Sequence, residues 1–221
     1  MAILILYFKT FFTTGVYFDD TFLKKEAEGS DTHYVGKSKH GDFHHITVKK
    51  GIDQQSGVDV IYRLPNDLNK KYTVTFRDAV NLEIGIESIK NEEGNIIFEG
   101  EYSKNMPFLF DKNGDPLMEY DYIIDEEISY NADYRIPLKN VVDFSTFSNE
   151  TIRGRFELLM FAIILFVLTA IDIKFPLFFF MLKNFLHVRN PEPSDLYITM
   201  QRISWYMYPI IGIILMIAAI Y

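Results

Sequence analysis

NPEPSDLYITMQR, residues 190–202, lies between two of the most apolar stretches of the chain. The Asn-Pro and Glu-Pro pairs at 190–193 disfavour helix and favour an extended turn. Ser194 is a typical helix N-cap, and Asp195 puts a negative charge in the first turn, where the helix dipole favours it. The stretch therefore predicts a hairpin loop and then one long helix from Leu196 to Tyr221.

Both sides of this loop are predicted to span a membrane. Residues 203–221 contain no charged side chain, and as a helix they would be about 28 Å long, close to the hydrocarbon thickness of a bilayer. Residues 155–175 form a second predicted span, and residues 177–188 are too short to cross again and favour a helix in the interface. The interpretation is a two-helix transmembrane domain over residues 154–221, with its loop at 176–195.

Asp172 follows the uncharged centre of the first span. A carboxylate at the bilayer centre costs about 2.5–3.5 kcal/mol on insertion scales. The sequence therefore favours a position for Asp172 and Lys174 at the headgroup level. The alternative is a functional carboxylate inside the membrane.

The segment FPLFFFMLKNFLHVRNPEPSDLYITMQR (175–202), followed by GIIL (212–215), carries a resemblance. It resembles a small two-helix membrane domain of unknown function found in bacteria, over about residues 158–220. The shared features are a first span that ends at a proline, an aromatic segment, the turn Glu192–Asp195, Arg202 and a glycine in the second span. The resemblance implies a bacterial membrane protein of the cell envelope and implies no activity.

Polar residues of this turn form a candidate cluster at the membrane surface: Glu192, Ser194, Asp195 and Arg202. Asp195 and Arg202 are seven residues apart, which is about two helical turns and places them on one face. One interpretation is a helix cap with an arginine that reaches the headgroups. The alternative is a binding site for a protein partner or a lipid headgroup.

Residues 19–153 predict a β-rich soluble domain. They hold 26 of the 30 acidic and 16 of the 22 basic residues, a net charge of 16 − 26 = −10. Short stretches rich in Ile, Val, Tyr and Phe alternate apolar with polar residues, as half-buried strands do. They are VDVIYRL (58–64), YTVTF (72–76), NLEIGIESI (81–89), NIIFEGEY (95–102), PFLF (107–110), LMEYDYII (117–124) and DYRIPL (133–138). The spacing of these strands favours an all-β antiparallel fold, sandwich-like or barrel-like, and KKEAEGSD (24–31) is the candidate linker before it.

Orientation in the membrane is predicted from the basic residues. Lys174, Lys183, Arg189 and Arg202 surround the hairpin loop, against Arg153 and Arg155 on the other flank. This places the loop in the cytoplasm and the β domain outside. Export favours a signal-anchor or membrane helix over residues 1–18, and a first strand or a peripheral helix is the alternative.

HGDFHH (40–45) is the candidate metal site. His40, Asp42 and His44 would share one face of a strand, and imidazole with carboxylate ligands suits zinc or copper. His33 could supply a further ligand, and a solvated strand edge is the alternative.

DKNGDPLMEYDY (111–122) begins like a calcium loop but has Pro116 where a glycine belongs, so a hairpin turn is favoured.

Several function classes are excluded or disfavoured by composition. The acidic balance argues against nucleic acid, and the absence of cysteine excludes disulfides and thiolate chemistry. No nucleophile motif or phosphate-binding loop is present, so catalytic residues stay unknown and we expect no cofactor.

We expect an integral protein of the cell membrane with a β-rich, extracytoplasmic binding or interaction domain. Its partners would be the lipid bilayer and a membrane protein or envelope component. The alternatives are an envelope enzyme or metal-binding protein that uses His40–His45, and an accessory subunit of a transporter.

Overall fold

Residues 2–51, 57–77, 85–119, 130–131, 134–184 and 192–221 are described by a computed structural model. The chain divides into a β unit, Thr13–Ile152, and a helical unit formed by Met1–Phe12 together with Arg153–Tyr221. Parts of the predicted strands at 81–89, 117–124 and 133–138 lie outside the described residues.

The β unit contains one antiparallel sheet, which has eleven strands within the described ranges. Strands β1 to β10 are neighbours in chain order, and β11 pairs with β1 at the other edge. The predicted all-β antiparallel class is confirmed. The strands are β1 (Thr14–Phe18), β2 (Thr21–Glu28), β3 (Asp31–Lys37), β4 (Phe43–Lys50), β5 (Val58–Leu64), β6 (Leu68–Phe76), β7 (Ile86–Lys90), β8 (Ile96–Glu101), β9 (Leu109–Asp111), β10 (Pro116–Leu117) and β11 (Thr151–Ile152).

The helix α2 (Leu138–Thr146) packs on the inner face of this sheet. The ring of Phe144 lies 6.3, 5.2 and 5.9 Å from the rings of Phe18, Tyr34 and Tyr62. These three side chains come from β1, β3 and β5, and in a flat sheet β1 and β5 would be about 19 Å apart. One ring can reach all three only because the sheet curls around α2.

The strand pattern explains which residues enter this core. In β5 every second residue is buried, namely Val58, Val60, Tyr62 and Leu64, as expected for a strand with one face on the core. The bounds of β5 match the predicted 58–64. Glycines lie where strands approach closely: a Cβ on Gly100 would stand 2.0 Å from the carbonyl oxygen of Phe110. Glycine in a strand interior is typical of such tight bends.

Three sequence predictions need correction. Residues 24–31 are not a linker, because β2 extends to Glu28 and pairs with β3 through a turn in which Gly29 has φ +62°. Residues 1–18 do not form one helix, because α1 (Ala2–Phe11) ends before β1 begins at Thr14. The segment 138–146 is a helix, although it lies in the region 19–153 for which the sequence favours an all-β fold.

The helical unit is built on an antiparallel pair, α3 (Phe156–Lys174) and α5 (Asp195–Ala218). Both helices are long and apolar enough to cross a membrane. At one end of the pair the backbone N–H of Arg155 donates to the carbonyl of Ala219, at 2.8 Å. The ring of Phe166 packs against Gly212, where an added Cβ would stand only 2.9 Å from the ring, so a larger residue would not fit there without a shift.

Shorter elements flank this pair at its two ends. The short helix α4 (Phe178–Asn184) follows α3, as the aromatic segment predicted. At the other end Tyr7 of α1 donates to the carbonyl of Met216, at 3.0 Å. The side chains of Arg153 and Arg155 donate to the carbonyls of Ile220 and Ala218. These two cations therefore satisfy carbonyls that the end of α5 leaves without helical partners.

Candidate functional site

Polar side chains of the helical pair face inward. Thr169 and Asp172 of α3 and Gln201 of α5 are buried, whereas the outer faces of both helices are apolar. Asp172 is 8% exposed. A carboxylate this buried requires hydrogen-bond partners, because transfer out of water is costly for a charged group.

Two neutral donors hold the Asp172 carboxylate. Gln201 Nε2 donates to Oδ1 at 2.7 Å, and Trp205 Nε1 donates to Oδ2 at 2.7 Å. Gln201 and Trp205 are four residues apart on α5 and therefore lie on the same face. Each carboxylate oxygen thus accepts one short hydrogen bond from the opposite helix.

A cavity of about 370 Å³ opens beside this carboxylate. Its walls come from α3, α4 and α5 and are mostly apolar and aromatic. They consist of Leu168, Thr169, Asp172, Phe179, Tyr197, Met200, Gln201, Ser204 and Tyr208. The hydroxyls of Thr169 and Ser204 donate to the helix carbonyls of Leu165 and Gln201. Asp172 is therefore the acidic group that the wall presents to a ligand. The volume is in the range of pockets for small molecules.

The predicted surface cluster is only partly assembled. Ser194 caps α5, because its hydroxyl accepts a hydrogen bond from the backbone N–H of Tyr197 at 3.2 Å. Glu192, Asp195 and Arg202 are exposed, and no ion pair joins them within the described part of the chain. Their role toward a partner or a headgroup stays a prediction.

The comparison with protein families concerns the same helices. Residues 161–219 match a family of unknown function, DUF6199. The resemblance of the C-terminal third to a domain of unknown function is thereby confirmed. The match covers about a quarter of the chain and includes both Asp172 and its two donors. No curated protein and no solved structure matches the chain.

The sequence favoured a headgroup-level position for Asp172, with a functional carboxylate as the alternative, and it did not indicate the hydrogen-bond partners of Asp172. The sequence did contain an indication of two donors on one helix face, since Gln201 is an uncharged polar residue one helical turn before Trp205. The register between the two helices was missing, because residues 175–194 leave the loop length open to several pairings. The contact of the Phe166 ring with Gly212 and the hydrogen bonds of Asp172 define that register in the structure.

The candidate metal ligands are dispersed. His40 and Asp42 precede β4, which begins at Phe43, and the Asp42 carboxylate accepts a hydrogen bond from Ser38. His44 points into the core, with Nε2 2.8 Å from the hydroxyl of Tyr130. Across the described ranges, no three His, Cys, Asp or Glu side chains are grouped to hold a metal ion. The metal site stays a prediction that this placement does not support.

His44 belongs instead to a buried hydrogen-bond network. The hydroxyls of Tyr130 and Tyr134 both donate to Asp19 Oδ2, at 3.0 and 2.6 Å. Asp19 and Asp20 form the β1–β2 turn with φ of 45° and 58°. Burial lowers the pKa of His44 and raises the pKa of Tyr130, so both groups stay neutral near pH 7. The network ties the first hairpin to the segment before α2.

We expect the β unit to lose stability as the pH falls below about 6.5, the ordinary pKa of histidine. Below that pH the unfolded chain binds a proton at His44. The folded chain binds it only at a lower pH, because burial lowers the pKa of His44. The loss is at most about 1.4 kcal/mol per pH unit for this group. Urea unfolding at pH 7.5 and 5.5 measures this loss of unfolding free energy. In His44→Gln, the difference in unfolding free energy between the two pH values should be smaller. An equal pH dependence in His44→Gln would contradict this role.

Proposed function

We propose that this chain is an integral membrane protein in which the helical pair carries a ligand-binding cavity and the β unit serves as a binding or interaction domain. The observation that carries the proposal is the polarity of α3 and α5. Polar groups lie between the two helices, and apolar groups lie on their outer faces. A helical hairpin in water has the reverse arrangement.

The exposed apolar surface is extensive. Side chains on the outer faces are 44–59% exposed, for example Phe161, Ile163, Ile164, Val167, Ile210, Ile213, Ile214 and Ile217. Leaving one such side chain in water costs about 1.5–3 kcal/mol relative to full burial. Lipid chains remove that penalty along the whole length of both helices. The resulting surface is larger than the patches that soluble monomers expose.

The basic residues support the orientation of the proposed protein. Lys174 ends α3, Lys183 lies in α4, and Arg202 follows in the first turns of α5. An excess of Lys and Arg is typical of cytoplasmic loops. With the loop of the hairpin inside, the residues that precede α3 lie outside, and the acidic β unit would contact an envelope component or another membrane protein there.

We expect the full chain to stay in the membrane pellet after alkaline carbonate extraction and to be released by detergent. The reason is that only a non-polar solvent replaces the lost water contacts of the outer helix faces. A matched test replaces Ile164 and Ile214 with glutamate, which should release a large fraction into the carbonate supernatant.

Protease added to intact cells stripped of their wall should cut the β unit but not the loop near Lys183. Release of the unmodified chain by carbonate would contradict membrane insertion, and protection of the β unit would reverse the orientation.

A further inference from the structure

The Asp172 carboxylate has no positively charged partner within the described residues. Its hydrogen bonds come from an amide and an indole, both neutral. A carboxylate offers about four acceptor positions, and these two donors occupy about half of them. In a non-polar surrounding a buried charge is stable only when it is paired. The remaining acceptor positions and the negative charge therefore favour a cation in the adjoining cavity.

The rest of the wall favours an organic cation over a metal ion. Phe179, Tyr197 and Tyr208 provide aromatic rings, and Leu168 and Met200 provide apolar surface. Aromatic faces attract ammonium groups within about 6 Å of the ring centroid. Calcium and magnesium need about six or more oxygen ligands. The described wall supplies a single carboxylate as its charged group. The hydroxyls of Thr169 and Ser204 are directed to helix carbonyls, and the other two hydroxyls of the wall belong to tyrosines.

We infer that this cavity binds an organic ammonium compound with a short apolar chain, with Asp172 as the group that recognises its positive charge. The inference rests on the proposed function, since it assigns the ligand class of the same cavity. The ammonium group pairs with the free acceptor positions of Asp172 beside the aromatic rings, and the chain lies along Leu168 and Met200. A soluble amine and the amine headgroup of a phospholipid share this chemistry.

Trp205 gives a direct readout, because it is the single tryptophan of the chain and donates to Asp172. The full-length protein in neutral maltoside micelles is titrated with hexylammonium chloride while its tryptophan fluorescence is recorded. Hexanol, with the same chain and no charge, is the matched ligand control. We expect hexylammonium to bind at least tenfold more tightly than hexanol.

The matched variants are Asp172→Asn and Glu157→Gln. The first removes the buried charge and keeps the shape, and the second removes an exposed charge from the same helical pair. We expect Asp172→Asn to weaken hexylammonium binding at least tenfold without changing hexanol binding, and Glu157→Gln to change neither. Asp172→Glu keeps the charge and should restore part of the affinity. Micelles doped with phosphatidylethanolamine identify the source: competition with hexylammonium indicates the lipid, and no competition indicates a soluble amine.

Three results would overturn the inference. They are equal binding of hexylammonium and hexanol by the unmodified chain, equal hexylammonium binding by Asp172→Asn, and an Asp172-dependent response to sodium or calcium chloride without one to hexylammonium. If Asp172→Asn fails to elute as a single species, the comparison of hexylammonium with hexanol on the unmodified chain still decides. Carbonate extraction distinguishes a failure of this inference from a failure of the proposed function. A chain that stays in the membrane but ignores ammonium contradicts only this inference, whereas a chain that carbonate releases contradicts the proposed function.

Discussion

Replacing Phe144 with alanine is expected to lower the free energy of unfolding of the β unit by about 3–5 kcal/mol. The ring is buried and contacts the rings of Phe18, Tyr34 and Tyr62, so its loss leaves a cavity at the point where the sheet curls around α2. Three strands lose a common partner, and the structure around such a cavity relaxes only partly. Many domains have a total stability of about 5–15 kcal/mol, so the loss is a large fraction.

Urea unfolding of the full chain in detergent, followed by tyrosine near-ultraviolet circular dichroism, measures this effect. Phe43→Ala is the matched control, because Phe43 lies on β4 with half of its side chain exposed. We expect that control to change the unfolding free energy by less than about 1 kcal/mol. Similar losses in the two variants would show that α2 is not the element around which the sheet is organised.

The position of α2 is the part of the fold that the sequence concealed. LKNVVDFST (138–146) places Leu138, Val141, Val142 and Ser145 on one helical face, but nine residues with two adjacent valines also suit a strand. Local preference could not decide between them. Tertiary packing determines that this segment is a helix. A sheet this long must cover its apolar inner face, and α2 fills the space inside the curve.

Elements with strong periodicity were predictable, whereas pairings between distant residues were not. The strand at 58–64 and both long apolar helices follow directly from their patterns. The strand β2 was hidden because its second half is charged and exposed, which suits a sheet surface as well as a linker. For the candidate site, the cost of a carboxylate next to an apolar span drew attention to Asp172, with a position at the headgroup level as the favoured interpretation. Its contacts with Gln201 and Trp205 depend on the helix register, which composition does not encode.

Asp143 is expected to be the most sensitive polar residue of the β unit. It lies on α2 and accepts hydrogen bonds from Lys139 Nζ at 2.5 Å, the Tyr102 hydroxyl at 2.8 Å and the Ser148 hydroxyl at 3.0 Å. The side chains of Asp143 and Lys139 are only 13% and 14% exposed. Burial raises the pKa of Tyr102 to about 12, so this neighbour stays a neutral donor.

We expect Asp143→Ala to lower the free energy of unfolding by about 3 kcal/mol, because it leaves the Lys139 ammonium buried without its counter-charge. The control is Glu26→Ala, which breaks the exposed pair with Lys24. Exposed pairs contribute about 0–1 kcal/mol, so this control should have little effect. Urea unfolding of both variants in the same detergent gives the comparison.

A double variant separates the lost charge from the lost packing. Lys139→Met combined with Asp143→Leu replaces the pair by apolar side chains of similar size. The hydroxyl oxygens of Tyr102 and Ser148 are 2.5 Å apart, so one of them can donate to the other once Asp143 no longer accepts from both. Because neither charge is then left buried alone, the double variant should be more stable than Asp143→Ala. If its loss equals or exceeds that of Asp143→Ala, the carboxylate acts through its hydrogen bonds to Tyr102 and Ser148 and not through the ion pair. Because Tyr102 directly follows β8, those hydrogen bonds would then be the contacts that fix α2 against the far part of the curved sheet.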